Sequence, residues 1–487
     1  MLWPFMTKRF EDFETASFPA FPGFWKMLGP GLVWLALAQG SGELIFWPYL
    51  VAKYGLALVF LILPSHLLQY PVNIAIGRYT VLTGEPIFKG FLRLNRLFGV
   101  LLWAWMFVVF LWIGGWASAG GTALAELTRF PSAWSRPWQT YFWGYALMVV
   151  FVASMLLGKV IYTLVERFMT VVALVTIVGL LWACSNPVVL RAAPAFFEAM
   201  FVPPVPLRDL PIGGHWSGRE WSFFLTAICF AGLGGFWTLF YSYWIKEKGY
   251  GMAHYGGRVT GLVRGASEEI RLEGYKTADT DEDRRRFRQW MRCVRADSLV
   301  GLFGNLLTTT LTCLLAWAVL HPQGKVPERW DIAVVQADFF GAYWAPARGL
   351  FLFVAGFFLI DTWLGGVDAT SRVHAHMVCE LSPRARTRGV RFWYYAFVFF
   401  MAIATALTMP LGDPGTIMAA SGVVNLLGIT VYSVALYYLS AYALRRAMPA
   451  WAQPGRAEKA GLVVSSVAYA LLSLAYARWV FWPMIAG

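Results

Sequence analysis

Charge is what this sequence has least of. Asp, Glu, Lys and Arg make up 14% of its 487 residues while hydrophobic types make up 58%, a balance that excludes an ordinary soluble globular protein. Cysteine is scarce too. The five, Cys184, Cys229, Cys293, Cys313 and Cys379, are scattered, odd in number and without CxxC spacing, which gives neither a disulfide framework nor a zinc site. No Walker loop, HExxH or GxSxG occurs, so no enzyme and no cofactor are expected. Acidic residues number 27 against 40 basic ones, a formal charge of +13. That excess would suit nucleic acid if it were gathered on one surface, but it is sorted along the chain instead.

What the sequence does have is eleven apolar stretches, each long enough to cross the ~30 Å hydrocarbon layer as a helix of about 20 residues. They lie near residues 27–52, 55–77, 98–126, 139–157, 160–184, 221–245, 298–320, 347–371, 391–409, 418–443 and 461–485. Alternating the loops between two sides puts 30 Lys and Arg on one side and 9 on the other, with Arg478 inside the last stretch. This positive-inside asymmetry predicts a multi-pass protein of the inner (plasma) membrane, N-terminus cytoplasmic and C-terminus outside. The expected partners are the lipid bilayer and a small ion or solute, not nucleic acid. Residues 1–26 carry Glu11, Asp12 and Glu14 and lack the charged-then-apolar order and cleavage site of a signal peptide. They read as a cytoplasmic arm.

Two of the stretches are interrupted. A helix in lipid keeps its backbone bonded to itself, and irregular backbone is tolerated where it lines a cavity or is buried in protein. The first stretch carries Gly40-Ser41-Gly42-Glu43 and the sixth carries Gly232-Leu233-Gly234-Gly235. Breaks in spans 1 and 6 mark an inverted repeat of two five-helix halves with the binding site between the breaks. The first half is expected at 27–184, the second at 221–443 and an extra helix at 461–487, an all-α polytopic fold. Glycines also serve close helix packing, and for the sixth stretch that reading stays open. The long hydrophilic segment 246–297 contains Asp279, Asp281, Glu282 and Asp283, like the start of a calcium loop. Arg284 stands where such a loop needs glycine and Trp290 where it needs glutamate, so calcium is excluded. From Arg284 to Arg295 arginines mix with Phe287, Trp290 and Met291, a composition suited to a helix lying on an anionic membrane surface or to a solvated connector.

Several motifs resemble one family. Gly29-Pro30-Gly31 opens the first stretch, Gln69 and then Gly77-Arg78-Tyr79-Thr80-Val81-Leu82-Thr83-Gly84 close the second, and Gly121-Thr122-Ala123 and Glu166 follow in the third and fifth. In that order they resemble the natural-resistance-associated macrophage proteins (Nramp), from Gly29 to about residue 440. The resemblance implies metal-ion transport on the LeuT fold. It also shows departures: the Asp-Pro-Gly-Asn motif falls on Gly40-Ser41-Gly42-Glu43, and the Met-Pro-His motif on Gly234-Gly235-Phe236 or Gly235-Phe236-Trp237. The acidic positions of the third span align with Gly115 and Ser118. The chain is therefore similar to a remote branch such as the Nramp-related magnesium transporters.

An ionisable side chain inside the bilayer costs at least ~2.5–3.5 kcal/mol and invites a functional reading. Glu43 sits in the first break, and Asp361 and Asp368 lie two turns apart on one face of span 8, which the LeuT fold places beside span 1. Glu43 and Asp361 are the candidate metal ligands, joined by Thr362, Asp368 and the freed backbone of Gly40, Ser41, Gly234 and Gly235. Trp237, with Phe236, lines the sixth break. Oxygen ligands select magnesium, manganese or sodium. Structural alternatives stand beside each: Glu43 as a helix cap, Asp368 paired with Arg372, and Asn73, Asn305 and Asn425 as interhelical hydrogen bonds. The 25 Trp read mostly as an interfacial belt, and His374 and His376, two residues apart, point to different faces. The leading expectation is alternating-access transport of a small hard divalent cation. The alternatives are a sodium- or proton-coupled carrier of an organic solute or anion, and a membrane sensor that does not transport.

Overall fold

The computed structural model describes residues 10, 13–40, 44–206, 209–212, 216–263, 265–266, 268–327, 330, 332–341 and 344–482. Ten of its helices are long and apolar enough to cross a membrane. The first of these, Ile45–Thr83, holds two crossings, because the α-helix that begins at Leu44 ends on Gly55 with φ 64°. Among the described residues the crossings therefore number eleven.

Span 1 contains the helices Pro30–Ala38 and Leu44–Tyr54, with residues 41–43 outside those described; span 2 is Ile62–Leu67 continued by Gln69–Thr83. Span 3 runs from Arg96–Phe110 through Leu111–Ile113 into Gly114–Thr128, and spans 4 and 5 are Arg136–Leu157 and Ile161–Cys184. Span 6 is again divided, into Gly218–Phe230 and Phe240–Lys248, with a 3₁₀ turn Gly235–Leu239 between. Spans 7 to 11 are Asp281–Leu315, Ala347–Leu381, Gly389–Thr408, Pro414–Tyr438 and Arg456–Tyr476. Span 8 is the common spine. It packs on the second part of span 3, on spans 5 and 9 and on the first halves of span 1 and last halves of span 6, while span 7 lies along span 1 and span 10 lies between spans 6 and 11.

The tryptophans depart from the belt reading. Trp34, Trp47, Trp116, Trp237, Trp244, Trp290 and Trp363 are fully buried, whereas Trp25, Trp134, Trp138, Trp344 and Trp482 are exposed. Lipid and protein interior are both apolar, so composition alone could not separate the two groups. The segment between spans 5 and 6 contains a further helix, Pro187–Phe201, that starts on an Asn186 cap accepting from Val188 N.

The basic stretch Arg284–Arg295 is not a helix lying on a membrane. It forms the opening turns of span 7, which runs unbroken from Asp281 to Leu315. Thr280 caps it by accepting from Asp283 N at 3.1 Å, and Asp281, Glu282 and Asp283 sit where the helix dipole favours negative charge. Its aromatic side is covered by the N-terminal arm. Residues Glu14–Ala16 (β1) pair in parallel with Tyr275–Thr277 (β2), Glu14 opposite Tyr275. Beyond β1, Phe18 N donates to Asp283 Oδ1 at 2.7 Å and Trp290 Nε1 donates to the Pro19 carbonyl at 3.0 Å. Phe18 and Phe21 pack on Phe287 and Trp290 at 5.6 and 5.1 Å between ring centroids. The arm thus supplies the apolar cover that a lipid surface would have given.

Asp283→Ala removes the acceptor of the buried Phe18 N–H, a loss of about 1–3 kcal/mol from arm docking. Limited proteolysis should then cut within residues 13–24 faster than in the parent protein, while the melting temperature of the bundle moves little. An unchanged cleavage rate would show that Asp283 does not hold the arm.

Candidate functional site

The break of span 6 is real backbone irregularity, not a packing stripe. Gly232 and Gly235 take φ 72° and 67°, and Leu233 is also left-handed at 66°; a Cβ on Gly234 would lie 1.7 Å from the Cys229 carbonyl oxygen. Side chains from spans 1 and 10 and from the turn itself satisfy the backbone that the break releases. Trp34 Nε1 donates to Gly232 O at 2.7 Å, Tyr432 OH donates to Gly235 O, and Phe236 N donates to Asn425 Oδ1 at 2.8 Å. Thr238 Oγ1 donates to Leu233 O at 2.6 Å and lies 3.2 Å from Gln69 Oε1. Asn425 thus acts as an interhelical hydrogen bond, and so does Asn305, whose amide reaches Leu35 O at 3.5 Å.

The helix Pro30–Ala38 runs on through Gln39, which is still helical at φ −55° and ψ −42°, and Leu44–Tyr54 follows it. Ser41 and Glu43 lie outside the described residues. What precedes them meets span 8 closely. Thr362 Oγ1 donates to Leu37 O at 2.9 Å and sits 3.3 Å from Asp361 Oδ1. A Cβ on Gly40 would come within 2.1 Å of Thr362 Oγ1, so only glycine allows this approach. Asp361 is 0% exposed, and its Oδ2 has no partner among the described residues. Gln39, equally buried, has neither end of its amide bonded among them. The structure therefore brings Gly40, Asp361 and Thr362 together and adds Gln39, which sequence reasoning passed over. Its signal was a lone amide closing an apolar run, immediately before the glycine cluster.

Asp368 does not join this group. It lies seven residues on, about 10 Å along a helix, and its carboxylate is already occupied. Arg372 Nε and Nη2 donate to it at 3.0 and 2.8 Å, and Tyr394 OH donates at 2.7 Å. Arg372 Nη1 is 2.6 Å from Glu247 Oε1 at the end of span 6. This buried cluster ties spans 6, 8 and 9 together, and an assignment of Asp368 to an ion site is replaced by that role. His374 accepts from Trp103 Nε1 at 2.8 Å and His376 packs on Tyr243, so the two histidines face different neighbours. Among the described residues no three His, Cys, Asp or Glu cluster as metal ligands. Trp237 packs against Phe110 at 4.8 Å and Trp116 at 5.2 Å, and Gly234 and Gly235 form the backbone beside it.

The first half-helix of span 1 is held at its N-terminus by Asp297 of span 7. The buried carboxylate accepts from Gly31 N at 2.8 Å, Gly29 N at 3.3 Å and Tyr241 OH at 2.8 Å. Beside it Lys248 pairs with Glu166 at 2.6 Å.

No family model matches this sequence, and no curated protein matches it. Solved structures do match the architecture. One is a manganese transporter of Eremococcus coleocola, with TM-score 0.55 and 14% identity over 98% of each chain. Another is MhsT in complex with L-phenylalanine, with TM-score 0.55 and 12% identity over 92% of this chain and 98% of that one. The chain has the LeuT fold. Two sets of five spans and an eleventh span account for the crossings among the described residues, with span 6 divided at its glycine cluster. At such identity the likeness concerns the fold and not the cargo.

The two aspartates of span 8 should respond oppositely to substitution. Removing Asp368 leaves a buried Arg372 without the carboxylate that takes its Nε and Nη2, so Asp368→Ala should cost about 3–5 kcal/mol and lower the melting temperature in detergent markedly. Asp361→Asn deletes a charge that no described residue pairs with, so it should leave the melting temperature unchanged or raise it. Equal destabilisation by both would show that Asp361 is also a structural ion.

Proposed function

We propose that this chain is a secondary-active transporter of the inner membrane, distantly Nramp-like, that works by alternating access and binds a small hard cation where span 1 is interrupted. The observation that carries this reading is the Asp361 carboxylate, buried mid-span with Oδ2 unpartnered among the described residues, against Thr362 and the break of span 1. A charge costly to keep in the membrane and left without a protein partner suits an ion that comes and goes. Glu43, the interruption's own acid, is the second ligand in this reading, with backbone carbonyls of Gly40 and Ser41 completing an oxygen shell. Magnesium, manganese and sodium are the cations such a shell accepts. Gly234 to Trp237 hold neither the methionine nor the histidine of the Nramp motif, so little preference for iron, cobalt or cadmium is expected. The positive-inside count supports an arm facing the cytoplasm.

The cation is either the cargo or the ion that drives a cargo.

Uptake into proteoliposomes, with magnesium, manganese and sodium tested in turn, checks the proposal. Asp361→Asn and Glu43→Gln keep shape and most hydrogen bonding but delete the charge, and each should lower ion-dependent uptake at least tenfold in protein that still reaches the membrane. Thr362→Val should weaken it several-fold. Normal transport with unchanged ion dependence in Asp361→Asn would make this site assignment wrong.

A further inference from the structure

Spans 5 and 8 touch at one level and part beyond it. A Cβ on Gly365 would lie 2.4 Å from Met169 Cε, so the two helices meet there without space between them. Away from that contact, toward Cys184 on span 5 and Ala347 on span 8, they flank a groove of 470 Å³. On span 5 its lining runs from Leu174 to Trp182 and on span 8 from Leu350 to Phe358, eight helical steps in each case, which is about 12 Å. Trp182 and Leu350 stand near the ends of their helices, and Phe358 lies three residues before the mid-span Asp361. The groove therefore reaches from the membrane boundary to its middle, close to half of the ~30 Å hydrocarbon layer. Val160, just before span 5, bridges to Thr260 in the connector that carries β2. Span 5 thus starts on the arm side, and the groove belongs to the opposite leaflet.

The lining is apolar. Apart from the Trp182 indole, Thr176 has the one polar side chain among the described lining residues, and its hydroxyl donates to Val172 O at 2.9 Å. The floor is a run of rings that includes Phe340 of the short helix Asp338–Gly341. Between centroids, Trp182 and Phe340 are 5.9 Å apart, Phe340 and Phe351 4.8 Å, and Phe351 and Phe358 6.2 Å. At the mouth Leu174, Val178 and Leu350 are 55%, 65% and 60% exposed, on helix faces that meet hydrocarbon and not water. An occupant is held there by packing, because apolar burial brings no hydrophobic gain inside a bilayer. A chain on a convex helix touches protein on one side only. Between spans 5 and 8 it has rings and branched side chains on three sides, and each added contact contributes dispersion energy. A volume of 470 Å³ over that length leaves a mean cross-section of about 40 Å², half or less of that of an α-helix with its side chains. A helix from a second copy is too wide to enter.

We propose that this groove is a lipid site that holds one acyl chain of a phospholipid from the leaflet opposite the arm, in a fixed place and apart from the exchanging lipid around the protein.

The test uses the full-length protein in phosphatidylethanolamine–phosphatidylglycerol vesicles that contain a phosphatidylglycerol with a photoreactive diazirine midway along one acyl chain. After irradiation the cross-linked residues are mapped by peptide mass spectrometry. Labels should gather at residues 174–182 and 350–358, several-fold denser than on Phe399, Ile403 and Leu407 of the exposed side of span 9. A Cβ on Gly179 would sit 3.6 Å from the Phe340 ring, an ordinary contact, so Gly179→Ala should leave the groove labels in place. Gly179→Leu fills the groove and should remove them while those on span 9 persist. Val354→Phe fills it from the other wall and stands in if Gly179→Leu fails to fold. Labels no denser in the groove than on span 9, or groove labels that survive both filling substitutions, would overturn the proposal and leave ordinary boundary lipid. An unlabelled groove in a protein that native mass spectrometry shows as a dimer would overturn it in favour of a second copy.

Discussion

Backbone amides and carbonyls in a bilayer have no water to bond to, and every one released from a helix must find a partner inside the protein. Span 6 releases several between Ala231 and Phe236. The rest of the core is arranged around answering them: Trp34 from span 1, Asn425 and Tyr432 from span 10, and Thr238 from the turn itself, which in turn meets Gln69 of span 2. These four spans are fixed at the membrane centre because one helix is interrupted there. A continuous span 6 would have left Asn425 and Trp34 without their roles.

The same constraint explains why unanswered groups matter. Asp361 Oδ2, the Gln39 amide and the indoles of Trp116 and Trp237 are buried where the protein answers its own backbone with care, yet no described residue answers them. Span 8 carries Asp361 and borders Gly40 and Trp237. One turn presents Asp361 and Thr362 to span 1, the next presents Gly365 and Gly366 to Leu37 and Trp237, and the following one closes on the Asp368–Arg372–Glu247 cluster. On the arm side, Asp297, the Glu166–Lys248 pair and that cluster clasp the first half of span 1 and the last half of span 6.

Much of this could be read in the sequence. The crossings follow from apolar length, and the break of span 6 follows from Gly232 to Gly235, where geometry decided between an interruption and close helix packing. Asp361 and Thr362 were legible because charge in a span is rare. The Asp368–Arg372 pair was visible as an i,i+4 spacing and competed with a site reading that only geometry removed. Gln39 and Trp116 were not legible: an amide ending an apolar run and an aromatic in a membrane helix look alike whether they face lipid, a neighbour or a ligand. Nor could the arm be foreseen on span 7, because Phe18 and Asp283 lie 265 residues apart and Arg284–Arg295 has the composition of a surface helix. The placement of Ser41 and Glu43, outside the described residues, still rests on the sequence.

The central claim is that the interruption of span 1 and Asp361 of span 8 share a cation. Anomalous diffraction from crystals of the full-length protein grown with manganese tests it most directly. The account predicts a peak within about 2.0–2.6 Å of Asp361 Oδ2, near Thr362 and Gly40, that is absent from Asp361→Asn crystals. A peak elsewhere, or an Asp361 carboxylate hydrogen-bonded to protein groups with no ion beside it, would contradict it.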